Sequence, residues 1–184
     1  MAKVEDCANL LIELTNKDEN TDDMTNLRLN KLLYFAQGHY LARYGKPLFD
    51  DEIEAWKFGS IVPRIYDKYE NRGKQPISSF DVVDTSKAFT DNEFEMLVTV
   101  LQEYKPMSTW SLVNLNHEKG SPWDKIYLKG KYHAKIDKED IEEYFKTKPI
   151  TTLSDKIKKL PVVEVLPTED YYAEEDDLDE WVVL

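Results

Sequence analysis

The segment from Thr25 to Pro47 predicts one long helix that is apolar on two sides. Thr25 can cap its first turn, and Gly45 followed by Pro47 can end it. At helical spacing the apolar residues form one wide stripe of Leu29, Leu32, Leu33, Ala36, Tyr40 and Tyr44 and a second of Leu27, Tyr34 and Leu41. A helix with two apolar sides packs against neighbours on both, so we expect this helix at the centre of the domain.

Two amide side chains, Asn30 and Gln37, lie between these stripes. Their position predicts that both are half-buried. A buried amide without a hydrogen-bond partner costs about 1–3 kcal/mol. We therefore expect each of them to hold a neighbouring segment of the chain.

The remaining sequence predicts a mainly α fold, a compact multi-helix domain with a short extended or β-hairpin element between Pro47 and Gly59. Seven helices are expected in all. Pro63 fits the first turn of the helix after the hairpin, and Thr90 with Glu93 forms a capping box for a later one. That later helix is expected to bury Phe94, Leu97, Val98 and Leu101. Residues 75–88 lack a helical period, which favours a loop with one short strand.

The composition changes near residue 147 and predicts two parts, a helical domain over residues 1–147 and a linker with an acidic C-terminal extension over residues 148–184. Eight acids and no base lie between Pro167 and Leu184, and they account for −8 of the net charge of −12. The extension ends with Trp181, Val182, Val183 and Leu184. An apolar end after an acidic spacer suits docking into a groove, either on a partner or on the domain itself.

Charge and cysteine content restrict the cellular setting. A net negative chain is an unlikely partner for nucleic acid, because phosphate binding needs concentrated Lys and Arg. The sequence contains no run of 18 apolar residues, so no membrane helix is predicted. The first residues lack a signal-peptide pattern. Cys7 is the single cysteine and cannot form an internal disulfide, so a reducing cytoplasm is the expected location.

No arrangement of residues predicts catalysis, a metal or a cofactor. Phosphate-binding glycine motifs are absent from the sequence, and one Cys with three dispersed His gives no zinc-site spacing. Cys7 is expected as a buried structural thiol, and His39 and His133 as surface residues. His117 has no evident nucleophile beside it. We expect His117 to hydrogen-bond its loop and to position Trp123.

Aromatic residues exceed what a small helical core needs, which favours an exposed binding surface for a protein partner. Trp and Tyr are enriched at the energetic centres of protein interfaces. Partner-binding candidates are therefore Trp56, Phe58, Tyr66 and Tyr69, together with the C-terminal Trp181, Val182, Val183 and Leu184.

Three stretches are similar to the Panacea family, the antitoxin SocA-like domain that also occurs in phage-associated proteins. They are LNKLLYFAQGHYLARYGKPLFDDEIEAWKFGSIVPRIYDKY, LVNLNHEKGSPWDKIY and IDKEDIEEYF, in the family's order and spacing over residues 5–146. We expect structural roles for Asn30, Gln37, Gly59, Pro63, His117, Pro122 and Trp123, of which all but Asn30 are family-matching positions. One departure is Asn116, since a threonine commonly precedes the histidine in this family.

The resemblance implies an antitoxin that neutralises a cognate toxin by direct protein–protein binding, without catalytic residues. One relative delivers its toxin to a cytoplasmic protease, so a proteolytic adaptor is an alternative. A further alternative is a phage or mobile-element inhibitor whose acidic tail blocks a host nuclease or defence protein. The toxin's identity and the oligomeric state do not follow from the sequence.

Overall fold

The computed structural model describes residues 1–17, 23–78, 80–127 and 130–159. In chain order its elements are α1 (Val4–Asn16), α2 (Asn26–Tyr44), β1 (Glu54–Trp56), β2 (Gly59–Ile61), α3 (Pro63–Tyr69), α4 (Thr85–Ala88), α5 (Asp91–Tyr104), α6 (Thr109–Asn116), α7 (Pro122–Tyr127), β3 (Ala134–Lys135), α8 (Lys138–Lys146) and α9 (Leu153–Lys158). The mainly α fold with a hairpin is confirmed. The predicted docking residues Trp181–Leu184 and the rest of the acidic extension lie outside the described residues.

Helix α2 is the central element, as its two apolar sides predict. It contacts α1, α3, α5, α6, α8 and β2, and fifteen of its 19 residues are buried. Thr25 accepts a hydrogen bond from the Arg28 backbone N–H at its start, and Gly45 closes its end in the left-handed conformation. The helix therefore has the bounds that its capping residues predict.

The two amides of α2 are fully rather than half buried, and each holds a neighbouring segment. Gln37 Oε1 accepts from the backbone N–H of Leu48 at 2.8 Å and of Phe49 at 3.2 Å, while its Nε2 donates to the Phe49 carbonyl at 2.9 Å. Asn30 Oδ1 accepts from the Val62 N–H at 2.9 Å. Gln37 thus fixes the loop after α2, and Asn30 fixes the start of α3 beside Pro63.

The hairpin forms a three-stranded antiparallel sheet with strand order β2–β1–β3. Glu54 pairs with Ile61 and Trp56 with Gly59, so the turn consists of Lys57 and Phe58. On the other edge, Ala55 pairs with Ala134. The sheet is short, and its buried side packs against α2 through β2.

Helix α8 lies closest to α2, and Gly38 makes this approach possible. A Cβ atom at Gly38 would overlap the Phe145 ring. Phe145 also meets the His39 ring edge-on, with centroids 4.7 Å apart. His39 was predicted at the surface, and that prediction is wrong: it is 3% exposed, and its Nε2 lies 2.8 Å from the Tyr104 hydroxyl.

Contacts with the body continue past residue 147, the boundary that composition predicts. The Arg43 guanidinium on α2 holds both carboxylate oxygens of Asp155 on α9, at 2.7 and 2.9 Å. Glu95 on α5 accepts from the backbone N–H of Ser154. Helix α9 is therefore attached to α2 and α5 together.

Two local predictions differ from the structure. No described residue between 75 and 88 lies in a strand, and residues 85–88 form α4 instead. Helix α5 buries Met96, Leu97, Val100 and Leu101, while Phe94 is 38% exposed. The predicted buried face was therefore wrong in part: it included Phe94 and Val98 and omitted Met96 and Val100.

Candidate protein-binding surface

The hairpin is held to α2 by a buried lysine. Lys31 is fully buried, and its Nζ donates to the backbone carbonyl of Ser60 on β2 at 2.6 Å. Burial lowers the pKa of Lys31 to about 7, because the charged amine loses its hydration there. A buried lysine that donates to a backbone carbonyl fixes the position of β2 without an ion pair.

Helix α6 holds the same strand from another side through Asn116. Its Oδ1 accepts from the Ser60 backbone N–H at 2.7 Å and lies 3.2 Å from the Ser60 hydroxyl. The Asn116 side chain therefore supplies the local hydrogen bonds directly.

Gly59 lies between these two anchors. It has a φ of +100°, and a Cβ atom there would come within 2.5 Å of Asn116 Oδ1 and 2.9 Å of Lys31 Nζ. A side chain at this position would be strained by the backbone and would also collide with both anchors. The family position Gly59 is thus explained by the close approach of α2, β2 and α6.

His117 positions Trp123 by stacking, with ring centroids 3.8 Å apart and planes 19° from parallel. The His117 backbone N–H donates to the carbonyls of Val113 and Asn114, whereas its side-chain Nε2 is buried and has no partner among the described residues. Burial and the nearby Lys31 lower the pKa of His117, which favours the neutral ring. Trp123 Nε1 donates to the Trp56 carbonyl at 2.7 Å, and Pro122 begins the helix that carries Trp123.

One group of aromatic rings covers the outer side of β1. Trp56 is half-buried and stacks on His133, with centroids 4.2 Å apart, and it also meets the Tyr66 ring at 4.8 Å. His133 is exposed, as predicted, and adopts a φ of +58°. These three rings support one another on the hairpin.

A second group lies at the hairpin turn and is far more exposed. Phe58 is 45% exposed and Trp110 at the start of α6 is 60% exposed, and their rings meet edge-to-face with centroids 5.9 Å apart. The Lys57 ammonium lies 5.4 Å from the centre of the Phe58 ring. We call Trp56, Phe58, Tyr66, Trp110 and His133 the hairpin aromatic surface.

Tyr69 lies elsewhere. It is only 6% exposed, and its hydroxyl donates to Asn9 Oδ1 on α1 at 3.4 Å. Of the four predicted body residues, the structure thus brings Trp56 and Tyr66 into contact, places Phe58 against Trp110 at the adjoining hairpin turn, and places Tyr69 in the core. Trp110 joins the surface because α6 packs beside β2, a contact between segments 50 residues apart in sequence.

Sequence reasoning missed the buried charged residues that support this surface. Lys31 and Arg28 are both within 1% of complete burial on α2. Arg28 Nη1 donates to the Met107 carbonyl at 2.7 Å, which fixes the segment between α5 and α6. The sequence signal that could have identified them is the presence of Arg28 and Lys31 in a helix that is apolar on two sides.

The chemistry of the described residues is that of a packed scaffold. Cys7 is fully buried on α1 as expected, and burial raises the pKa of its thiol. Within residues 1–17, 23–78, 80–127 and 130–159, no three His, Cys, Asp or Glu side chains are placed to bind a metal ion. Across those same ranges no helix combines the length and apolar character that a bilayer crossing demands.

Comparisons with known proteins show which family this chain resembles. Residues 29–124, which span α2 to α7, match the family described as "Antitoxin SocA-like, Panacea domain". The chain is similar to Antitoxin SocA of Caulobacter vibrioides (strain NA1000 / CB15N), with 36% identity over 112 residues, which cover 56% of this chain and 60% of SocA. The chain therefore spans about 60% of the length of this curated relative.

No solved structure matches the chain significantly. The family match alone covers more than half of the sequence, including Lys31, Gly59, Asn116, His117 and Trp123. The chain belongs to the SocA-like antitoxin family with a Panacea domain.

Proposed function

We propose that this chain is a cytoplasmic, non-enzymatic antitoxin that neutralises a protein toxin by binding it directly through the hairpin aromatic surface. The family match and the likeness to Antitoxin SocA support the antitoxin role. The observation that carries the binding site is the exposed edge-to-face pair of Phe58 and Trp110. Large exposed aromatic rings are typical anchors of a protein interface.

The hairpin suits this role because its backbone is already fixed before a partner arrives. Lys31, Asn116 and the Trp123 indole each hold a different backbone atom of the hairpin. A preorganised surface loses little conformational entropy on association, so more of the contact energy remains as affinity. The backbone that carries Phe58 is therefore in place, beside Trp110, before the toxin binds.

Neutralisation by occlusion requires a contact of standard size. A stable protein interface buries about 1,200–2,000 Å² in total, which exceeds what two rings supply. The three supporting rings, Trp56, Tyr66 and His133, extend the contact along the outer side of the sheet. The toxin surface that fits is apolar at its centre, with a polar rim.

The test uses the product of the neighbouring reading frame as the toxin. Replacing Phe58 and Trp110 together by alanine should weaken toxin binding by about thirtyfold or more, since truncation of an interface anchor costs about 2 kcal/mol or more. Phe94→Ala is the matched control, because it removes an exposed aromatic ring on α5. Calorimetry and growth rescue in cells would measure the effect. Equal binding by the double variant and the control would contradict the proposed surface.

The adaptor and nuclease-inhibitor alternatives predict different requirements. Occlusion inhibits a purified toxin with no other component present, whereas an adaptor needs a protease and ATP. Nuclease inhibition by the acidic extension depends on charge and falls steeply with added salt. An inhibition assay with purified toxin, at low and high salt, separates the three.

A further inference from the structure

A pocket of about 180 Å³ lies between α2, α5, α8 and the chain that leads into α9. Ala42, Met96, Phe145 and Ile150 give it apolar walls, and Arg43 and Lys146 add two cationic side chains. An apolar cavity on the order of 150 Å³ can hold a benzene ring. The pocket therefore has room for one large apolar side chain, with positive charge beside it.

Helix α9 follows the pocket wall in the chain and is fixed beside it by Arg43, which lines the pocket and also holds Asp155. Leu153 is 60% exposed and Ile157 is 56% exposed, one helical turn apart on the same face of α9. Each lies two residues from Asp155, so this exposed apolar face is opposite Arg43 and separate from the pocket.

The charge around α9 identifies the kind of segment. Lys156, Lys158 and Lys159 are exposed at its end, and none of them forms an ion pair with another residue that the structure describes. The chain itself continues into residues 160–184, where eight acids precede Trp181, Val182, Val183 and Leu184. The carboxylates of this segment can pair with the lysines of α9, and its apolar end can enter the pocket.

The length of the segment also fits. Twenty-five residues follow Lys159, and a chain of that length can span up to roughly 80 Å. The pocket is closer than this, since Pro149 and Ile150 in its wall lie only a few residues before α9. Within one chain such a tether gives an effective concentration on the order of millimolar.

We propose that the C-terminal segment of the same chain occupies this site, with one apolar side chain of Trp181–Leu184 in the pocket and the acids beside the lysines of α9. The site is distinct from the hairpin aromatic surface, which leaves Phe58 and Trp110 exposed while the segment is docked. The interaction combines an apolar contact with ion pairing, so added salt weakens it.

Disulfide trapping in the full chain tests the proposal. The pair Ala42→Cys and Leu184→Cys should form a disulfide within one chain about tenfold faster than the control pair Trp110→Cys and Leu184→Cys. The buried Cys7 thiol does not compete. Added 0.5 M NaCl should slow the first reaction towards the second. Equal rates, or crosslinked dimers only, would overturn the proposal.

Hydrogen exchange supplies a second readout that needs no introduced cysteine. In the variant Trp181→Ser with Leu184→Ser, amides of residues 145–158 should exchange faster than in the unmodified chain. The control Val162→Ser with Val163→Ser removes two apolar residues of the same segment away from its end. Identical exchange in all three proteins would refute docking. Both experiments contain no toxin, so their failure leaves the proposed antitoxin role standing.

Discussion

Lys31 Nζ donates to the Ser60 carbonyl at 2.6 Å from a fully buried position. The hairpin is thus held by an amine whose uncharged form is favoured by burial. Because the folded pKa of Lys31 is about 7 and the ordinary value is 10.5, the unfolded chain binds more protons between these two pH values. Stability therefore rises with pH across that window.

Between pH 7 and pH 10 we expect this lysine to add about 3–4 kcal/mol to the free energy of unfolding. Denaturant titrations of the protein and of Lys31→Met should differ by this amount in their pH dependence. The exposed Lys57→Met is the control and should retain the full slope. An unchanged slope in Lys31→Met would contradict the assignment.

Gly59 combines backbone strain with crowding, and a pair of variants separates the two. Gly59→Ala should destabilise the protein by about 3 kcal/mol, because a left-handed backbone and overpacking against Asn116 and Lys31 both contribute. Gly45→Ala is the matched control: its φ of +63° and ψ of 19° are those of a left-handed residue, but a Cβ atom there meets nothing within 4 Å. We expect it to cost only about 1 kcal/mol. Equal losses in thermal or chemical unfolding would show that crowding is unimportant.

His39 should make the protein sensitive to acid. Burial lowers the pKa of His39 to about 4 from an ordinary 6.5, so between these values the unfolded chain holds the extra proton. Stability is consequently lost as the pH falls from about 6.5 to 4, by about 3 kcal/mol. Comparing His39→Gln with the exposed His133→Gln in urea at both pH values measures this. A shared pH dependence for the two variants would exclude His39 as its source.

Deletion of residues 161–184 tests what the acidic extension contributes. We expect weaker neutralisation of the toxin and an intact helical body, since α9 and its Arg43–Asp155 contact precede the deletion. Circular dichroism reports on the body, and growth rescue reports on the toxin. Full neutralisation by the shortened chain would remove the extension as a determinant of partner choice.

Local chemistry predicted much of this fold, because caps act over a few residues. Thr25 and Gly45 define α2, and Thr90 with Glu93 opens α5 where the capping box places it. These features need no knowledge of distant segments.

Burial of polar residues could not be predicted in the same way, because it depends on segments far along the chain. His39 is covered by Phe145 and Tyr104, and Lys31 by β2. Trp110 reaches Phe58 only after α6 docks. Periodicity identifies which residues share a helix face, but the cover over that face comes from tertiary contacts.

Gln37 ties the loop after α2 to that helix, and Asn30 and Lys31 tie a second stretch, from Ser60 to Val62, to the same helix. Substitutions in one stretch do not contact those in the other, so their effects on the free energy of unfolding should add. Under the proposed function, the side chains of the hairpin turn can change during evolution while α2 keeps the hairpin backbone in place. The same scaffold could thus come to bind a different toxin.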